Sequence, residues 1–89
     1  MSKTTTDHNT IKTWIEERKG RPAVVKDTAN GNGGVLRIDY GKKDESLASI
    51  SWDEFFDIFE ENDLAFLYQE ESESGDESRF SKFIQRENM

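Results

Sequence analysis

The sequence predicts an α+β fold with the element order α-β-β-α-β-α, a three-stranded sheet packed by helices. Three observations predict it. Apolar residues recur at helical spacing in two places, Ile11, Trp14 and Ile15, and then Trp52, Phe55, Phe56 and Phe59. Between them, Val35 to Tyr40 alternates apolar and polar like a half-buried strand, behind an Asn/Gly cluster. Finally, two Trp, two Tyr and six Phe, each ring able to bury about 150–250 Å², can fill a core.

The elements follow in order. Met1 to Asn9 is rich in Ser, Thr and Lys and is expected to be a flexible tail. Thr10 can cap a helix over about residues 10–19, and Arg18 extends its apolar stripe with an aliphatic stem. Gly20 suits a left-handed position past the helix end, and Pro22 prevents continuation. Two strands are predicted next, 23–28 (AVVKDT) and 35–40 (VLRIDY), forming an antiparallel hairpin around the turn 29–34. Ser51 and Glu54 make a capping box, with Ile50 and Phe55 spaced as its hydrophobic staple. The helix they open ends near Asn62, and a third strand, 64–69 (LAFLYQ), follows almost at once. The sharp reversal sets that strand parallel to the second, pairing beside it or antiparallel beside the first. Residues 70–77 (EESESGDE) are expected to be an acidic linker, leaving 10–69 as the core. Phe80, Phe83 and Ile84 then predict a terminal helix within 78–89 that docks on that core.

Composition excludes several functions. Eighty-nine residues make at most one small domain, which buries about 60–65% of its unfolded surface. With no cysteine there are no disulfides, thiolate metal sites or cysteine nucleophiles. Met1 to Thr10 has no apolar run, so no signal peptide is predicted, and no stretch is long enough to span a membrane. A soluble, cytoplasmic protein is the expectation.

The net charge of −7 is unevenly spread. Residues 1–43 carry 9 basic and 5 acidic side chains, and residues 79–89 carry 3 and 1. Residues 44–78 carry 13 acidic side chains and no Lys or Arg. Such segregation asks for a physical role.

Motifs for specific chemistry fail on inspection. The NGNGG turn lacks the Gly-Lys-Ser/Thr that leads a phosphate loop into a helix, and it leads into a strand. Counting a calcium loop from Asp27 puts Ala29, Gly31 and Ile38 at ligand positions. His8, the single histidine, falls in the tail and reads as a surface residue. Carboxylate pairs such as Asp53 with Asp57 or Glu54 with Glu61 lie on a helix surface, with no cleft to raise one pKa. The aromatic stripe at 52–59 reads as core, with Trp52 and Tyr40 the rings least certain of burial. The basic set Lys12, Lys19, Arg21, Lys26, Arg37, Lys42 and Lys43 is opposed by the acidic block, which disfavours nucleic acid. The hairpin suggests a small SH3-like barrel, but three strands are fewer than such a barrel needs. No cofactor, metal or catalytic residue is predicted.

Through WIEERKGRPAVVK, LRIDYG, DESLASISWDEFFDIFEENDLAFLYQE and SRFSKFI, the chain resembles a family of short uncharacterised bacterial conserved hypothetical proteins. Some members carry the label 1,4-alpha-glucan branching enzyme. That enzyme class uses a barrel of about 250 residues, longer than these 89, so no catalytic residue is carried over. The resemblance implies a discrete domain spanning the chain.

The expected function is a small non-catalytic protein-binding or adaptor domain with an acidic face that steers a basic partner. Its candidate partner-binding residues are Asp53, Asp57, Glu60, Glu61, Trp52 and Tyr40. The alternatives are a small ligand-binding accessory protein linked to sugar metabolism, using Trp52 or Tyr40, and an acidic mimic of nucleic acid. An unpaired sheet edge or an exposed ring cluster could mediate a dimer.

Overall fold

A computed structural model describes residues 2–26, 34–41, 45–71 and 75–88. The fold is α+β, with strands β1 (Ser2–Thr5), β2 (Arg21–Val25), β3 (Leu36–Asp39), β4 (Leu47–Ser49), β5 (Leu64–Gln69) and β6 (Ser81–Gln85). Helix α1 (His8–Glu17) follows β1, helix α2 (Trp52–Glu61) follows β4, and a 3-10 turn, Arg86–Asn88, follows β6. The strands form two antiparallel three-stranded sheets, ordered β1-β5-β6 and β3-β2-β4.

Helix α1 starts earlier than the apolar spacing suggests. Asp7 caps it, accepting from the Thr10 backbone N–H at 2.9 Å and from the Thr10 hydroxyl at 2.6 Å. The expected apolar positions, Ile11, Trp14 and Ile15, are buried. At the other end Lys19, with φ 60°, takes the left-handed turn expected of Gly20. Gly20 is required for a different reason. A Cβ there would lie 2.7 Å from Ile38 Cγ2 and 2.8 Å from Ile15 Cγ2, so only hydrogen lets β2 leave under the helix.

The hairpin pairs from Arg21↔Asp39 to Val24↔Leu36. β2 starts two residues before the expected 23–28 and ends three short of it, while β3 lies one residue inside 35–40 at each end. Of the expected turn, 29–34, residues 29–33 lie outside the described residues, as do 27 and 28 of the first expected strand. Beyond expectation, Leu47–Ser49 pairs with the other edge of β2, making β2 the central strand of its sheet. Three residues offer too little alternation to announce a strand.

Helix α2 begins as expected. Ser51 Oγ accepts the Glu54 N–H at 3.1 Å, and the buried face is Phe55, Ile58 and Phe59. Trp52 and Phe56 pack at its margin, half-buried. Asn62 caps the end, and Asp63, with φ 50°, reverses the chain into β5.

The remaining elements correct the sequence reading. β5 does not join the β2–β3 hairpin, in parallel or antiparallel; it is the centre of the second sheet. Residues 2–5, expected to be a flexible tail, pair with it from Ser2↔Gln69 to Thr5↔Phe66. The segment expected to be a terminal helix is β6, paired from Leu64↔Gln85 to Tyr68↔Ser81. Three apolar residues at i, i+3 and i+4 are too few to fix a period, and the open edge of β5 decides in favour of a strand. Of the acidic 70–77 stretch, residues 72–74 lie outside the described residues; Glu71 and Glu77 on either side of them form a β-bridge. So the expected single three-stranded sheet is one of a pair.

The core joins both helices to both sheets. Ile11, Ile15, Phe55, Phe59 and Phe66 are fully enclosed, with Trp14, Val24, Leu36 and Tyr68 around them. Ring packing is dense: Phe83 lies within 5.5–6.5 Å of Phe55, Phe59 and Phe66.

Candidate functional site: a basic groove between two strand edges

β3 and β6 are each an edge strand of their own sheet, and residues of both line one recess. Between them runs an open groove of about 690 Å³. Leu36, Arg37 and Ile38 border it from one side, and Ser81, Lys82 and Phe83 from the other. Successive residues of a strand point to opposite faces, so a groove beside a sheet face would be lined by alternate residues. Consecutive residues line this one. It is therefore the edges of β3 and β6 that open into it.

The floor is apolar. Leu36 is buried, and Ile38, Leu64 and Phe83 pack against the core from the groove side. Its walls are basic, with Arg37 from one sheet and Arg79 and Lys82 from the other, all exposed. No Asp or Glu lines the groove among the described residues. Arg37 turns one guanidinium nitrogen to the Leu36 carbonyl at 3.0 Å. Among the described residues, Val35 and Phe80, adjoining β3 and β6, are the large apolar side chains left exposed, at 42% and 50%.

Tyr40 also lines the groove. Its ring lies under the Arg79 guanidinium, 5.1 Å from centroid to Cζ, and its hydroxyl donates a long hydrogen bond, 3.5 Å, to the Arg79 carbonyl. Burial pushes the phenol above its ordinary pKa, against the Ser81 hydrogen bond and the nearby Arg18 and Arg79 charges.

The other sequence-predicted residues lie elsewhere. Asp53, Asp57 and Glu61 are exposed on α2. Trp52 stacks on Phe56 at 5.6 Å and meets Phe55 edge-on at 5.2 Å. Glu60 is also exposed but is paired within the chain: one carboxylate oxygen takes the His8 Nε2 at 2.7 Å and the Arg86 Nη2 at 2.6 Å. Those two hydrogen bonds, Arg86 first, hold the Glu60 carboxyl below its ordinary pKa. His8 is thus no tail residue; its ring stacks flat on Phe56 at 4.1 Å. Five of the six candidate residues lie on α2, and of the six only Tyr40 lines the groove.

Sequence reasoning missed Arg79 and Lys82 because it put them on a terminal helix, and it placed Arg37 simply on the polar side of a strand. The available signal was the charge map: the two basic stretches flank the acidic block, and their cations can converge only if the ends of the chain meet. Among the described residues, no group of three His, Cys, Asp or Glu is placed to hold a metal ion. Nor is any helix long and apolar enough to cross a membrane.

No family model, curated protein or solved structure matches the chain.

Proposed function

We propose that this chain is a small non-catalytic protein-binding module whose binding surface is the groove between β3 and β6. The observation that carries the reading is the meeting of two strand edges along one groove with an apolar floor. An edge strand presents a row of backbone donors and acceptors that an extended segment of another chain can satisfy. Catalysis gains no support from the acids. Asp7 and Glu60 are both held low, Asp7 chiefly by its Thr10 hydrogen bonds, which is the opposite of what a general acid needs. The exposed Asp53, Asp57 and Glu61 give the module a second, acidic surface suited to a basic partner, which would make it an adaptor.

Selection from a library of random heptapeptides displayed on phage tests this reading. Enriched peptides should shift backbone amide resonances along Leu36–Asp39 and Ser81–Gln85 in a heteronuclear NMR titration. If no peptide is enriched over an unrelated folded domain of equal charge, the reading is wrong.

A second reading, a small-ligand accessory protein, draws on Tyr40, half-buried beside Arg79. Oligosaccharides or nucleotides that bind there should perturb the Tyr40 ring resonances. Silence of those resonances across both ligand classes removes it.

A further inference from the structure

The groove also specifies the kind of chain it takes. Resting on the protein-binding reading, we infer that its occupant is an acidic extended segment of a partner protein, inserted as a strand between β3 and β6. The segment would carry carboxylates at alternate positions and apolar side chains between them.

Three features support this occupant. The first is the sign of the local charge. The cations come from both walls, Arg37 on one and Arg79 and Lys82 on the other, with no carboxylate among the described lining residues. At physiological salt, charges farther away than about 8 Å are largely screened. A ligand inside the groove therefore meets these cations rather than the chain's overall −7. The groove thus suits a partner opposite in sign to the one expected for the acidic surface of α2.

The second is alternation. A strand lying between the two edges turns every other side chain toward the Leu36, Ile38 and Phe83 floor and the rest outward to the cationic walls. The four residues of β3 and five of β6 offer an edge of matching length. That edge is about 13–17 Å long at 3.3–3.4 Å per residue.

The third is what a strand edge recognises. It needs both donors and acceptors from its partner, and a peptide backbone has both. A nucleic-acid backbone brings acceptors without the matching donors. A peptide is favoured over a nucleic acid for this reason. Once seated, it would join β4-β2-β3 and β6-β5-β1 into one continuous sheet.

Fluorescence anisotropy at about 0.15 M salt tests the inference on the full chain. The probe is a labelled octapeptide of alternating glutamate and valine. The comparison ligands are its lysine–valine counterpart, the same acidic peptide methylated at alternate backbone nitrogens, and single-stranded oligothymidine. The acidic peptide should bind saturably, and backbone methylation should abolish binding. The double variant Arg37→Gln, Lys82→Gln should weaken it about fivefold or more. Both side chains are exposed, and an unchanged circular dichroism spectrum confirms that the variant is folded. Equal or tighter binding of the lysine peptide or the oligothymidine overturns the inference, as does indifference to the double variant or to methylation. Absence of any binding by the acidic peptide overturns it too. If the phage library still yields groove-binding peptides in that case, the protein-binding reading survives while the acidic occupant does not.

Discussion

The Arg18 guanidinium donates to three backbone carbonyls, those of Trp14 at 3.0 Å, Glu70 at 2.9 Å and Ser78, and lies 4.1 Å from the Trp14 ring centroid. It is 5% exposed, and it ties α1 to both feet of the β5–β6 connection. Apolar spacing correctly sets Arg18 on the buried stripe. Two of its three partners stand 52 and 60 positions later in the chain, beyond anything a local pattern encodes. Arg18→Ala should cost about 2–4 kcal/mol in urea denaturation, because buried carbonyls lose their donor. Arg18→Lys should recover little of this, since an ammonium cannot span the three acceptors as a planar fork does. A loss below about 0.5 kcal/mol for the alanine variant would contradict this account. Glu60 makes a second residue-scale prediction. Its folded pKa lies below the ordinary 4.5, so the unfolded state binds its proton more readily. The His8–Glu60–Arg86 contacts therefore stabilise the fold fully above pH 4.5, and that contribution is lost as pH falls through the lowered folded value. Thermal melts across that range should show Glu60→Gln less sensitive to acid than the parent chain. Parallel acid limbs in the two proteins would argue that these contacts add nothing.

Among the elements, α2 was the most legible, because its signals are short-range. A cap, its N3 partner and a staple occupy six consecutive residues, and the helix begins where they place it. Ser51→Ala should lower stability by about 1 kcal/mol, and Ser51→Asp should restore it, since an aspartate oxygen can accept the same N–H. Equilibrium denaturation with guanidinium measures both, and an unaffected alanine variant would show that the cap contributes nothing. The strands divide differently. The β2–β3 hairpin declares itself through alternation and a glycine-rich turn. β1, β4 and β6 do not, because each becomes a strand through the edge it meets. Thr4 has no local reason to be extended until Leu67 lies opposite it, and the same holds for Ile84 against Ala65. The α+β class was therefore readable, while the second sheet was not. The groove, which exists only between the two sheets, was unreadable for the same reason.

At the scale of the whole molecule, the charge map takes on a spatial meaning. The acidic block supplies the exposed face of α2 and the β5–β6 connection. The two basic flanks, distant in sequence, converge where β3 faces β6. A chain of net −7 thus carries a cationic recess, and the two signs are held on separate surfaces. The pairing of β1 with β5 has a consequence in time as well. Residues 2–5 are synthesised more than sixty positions ahead of their partners, residues 66–69. β1 must therefore wait for β5. β1 then docks by closing a loop that spans most of the chain, an entropically demanding step that places folding with the slower, non-local topologies. Until it docks, β5 carries an open edge, and the nascent chain is most exposed to mispairing during that interval.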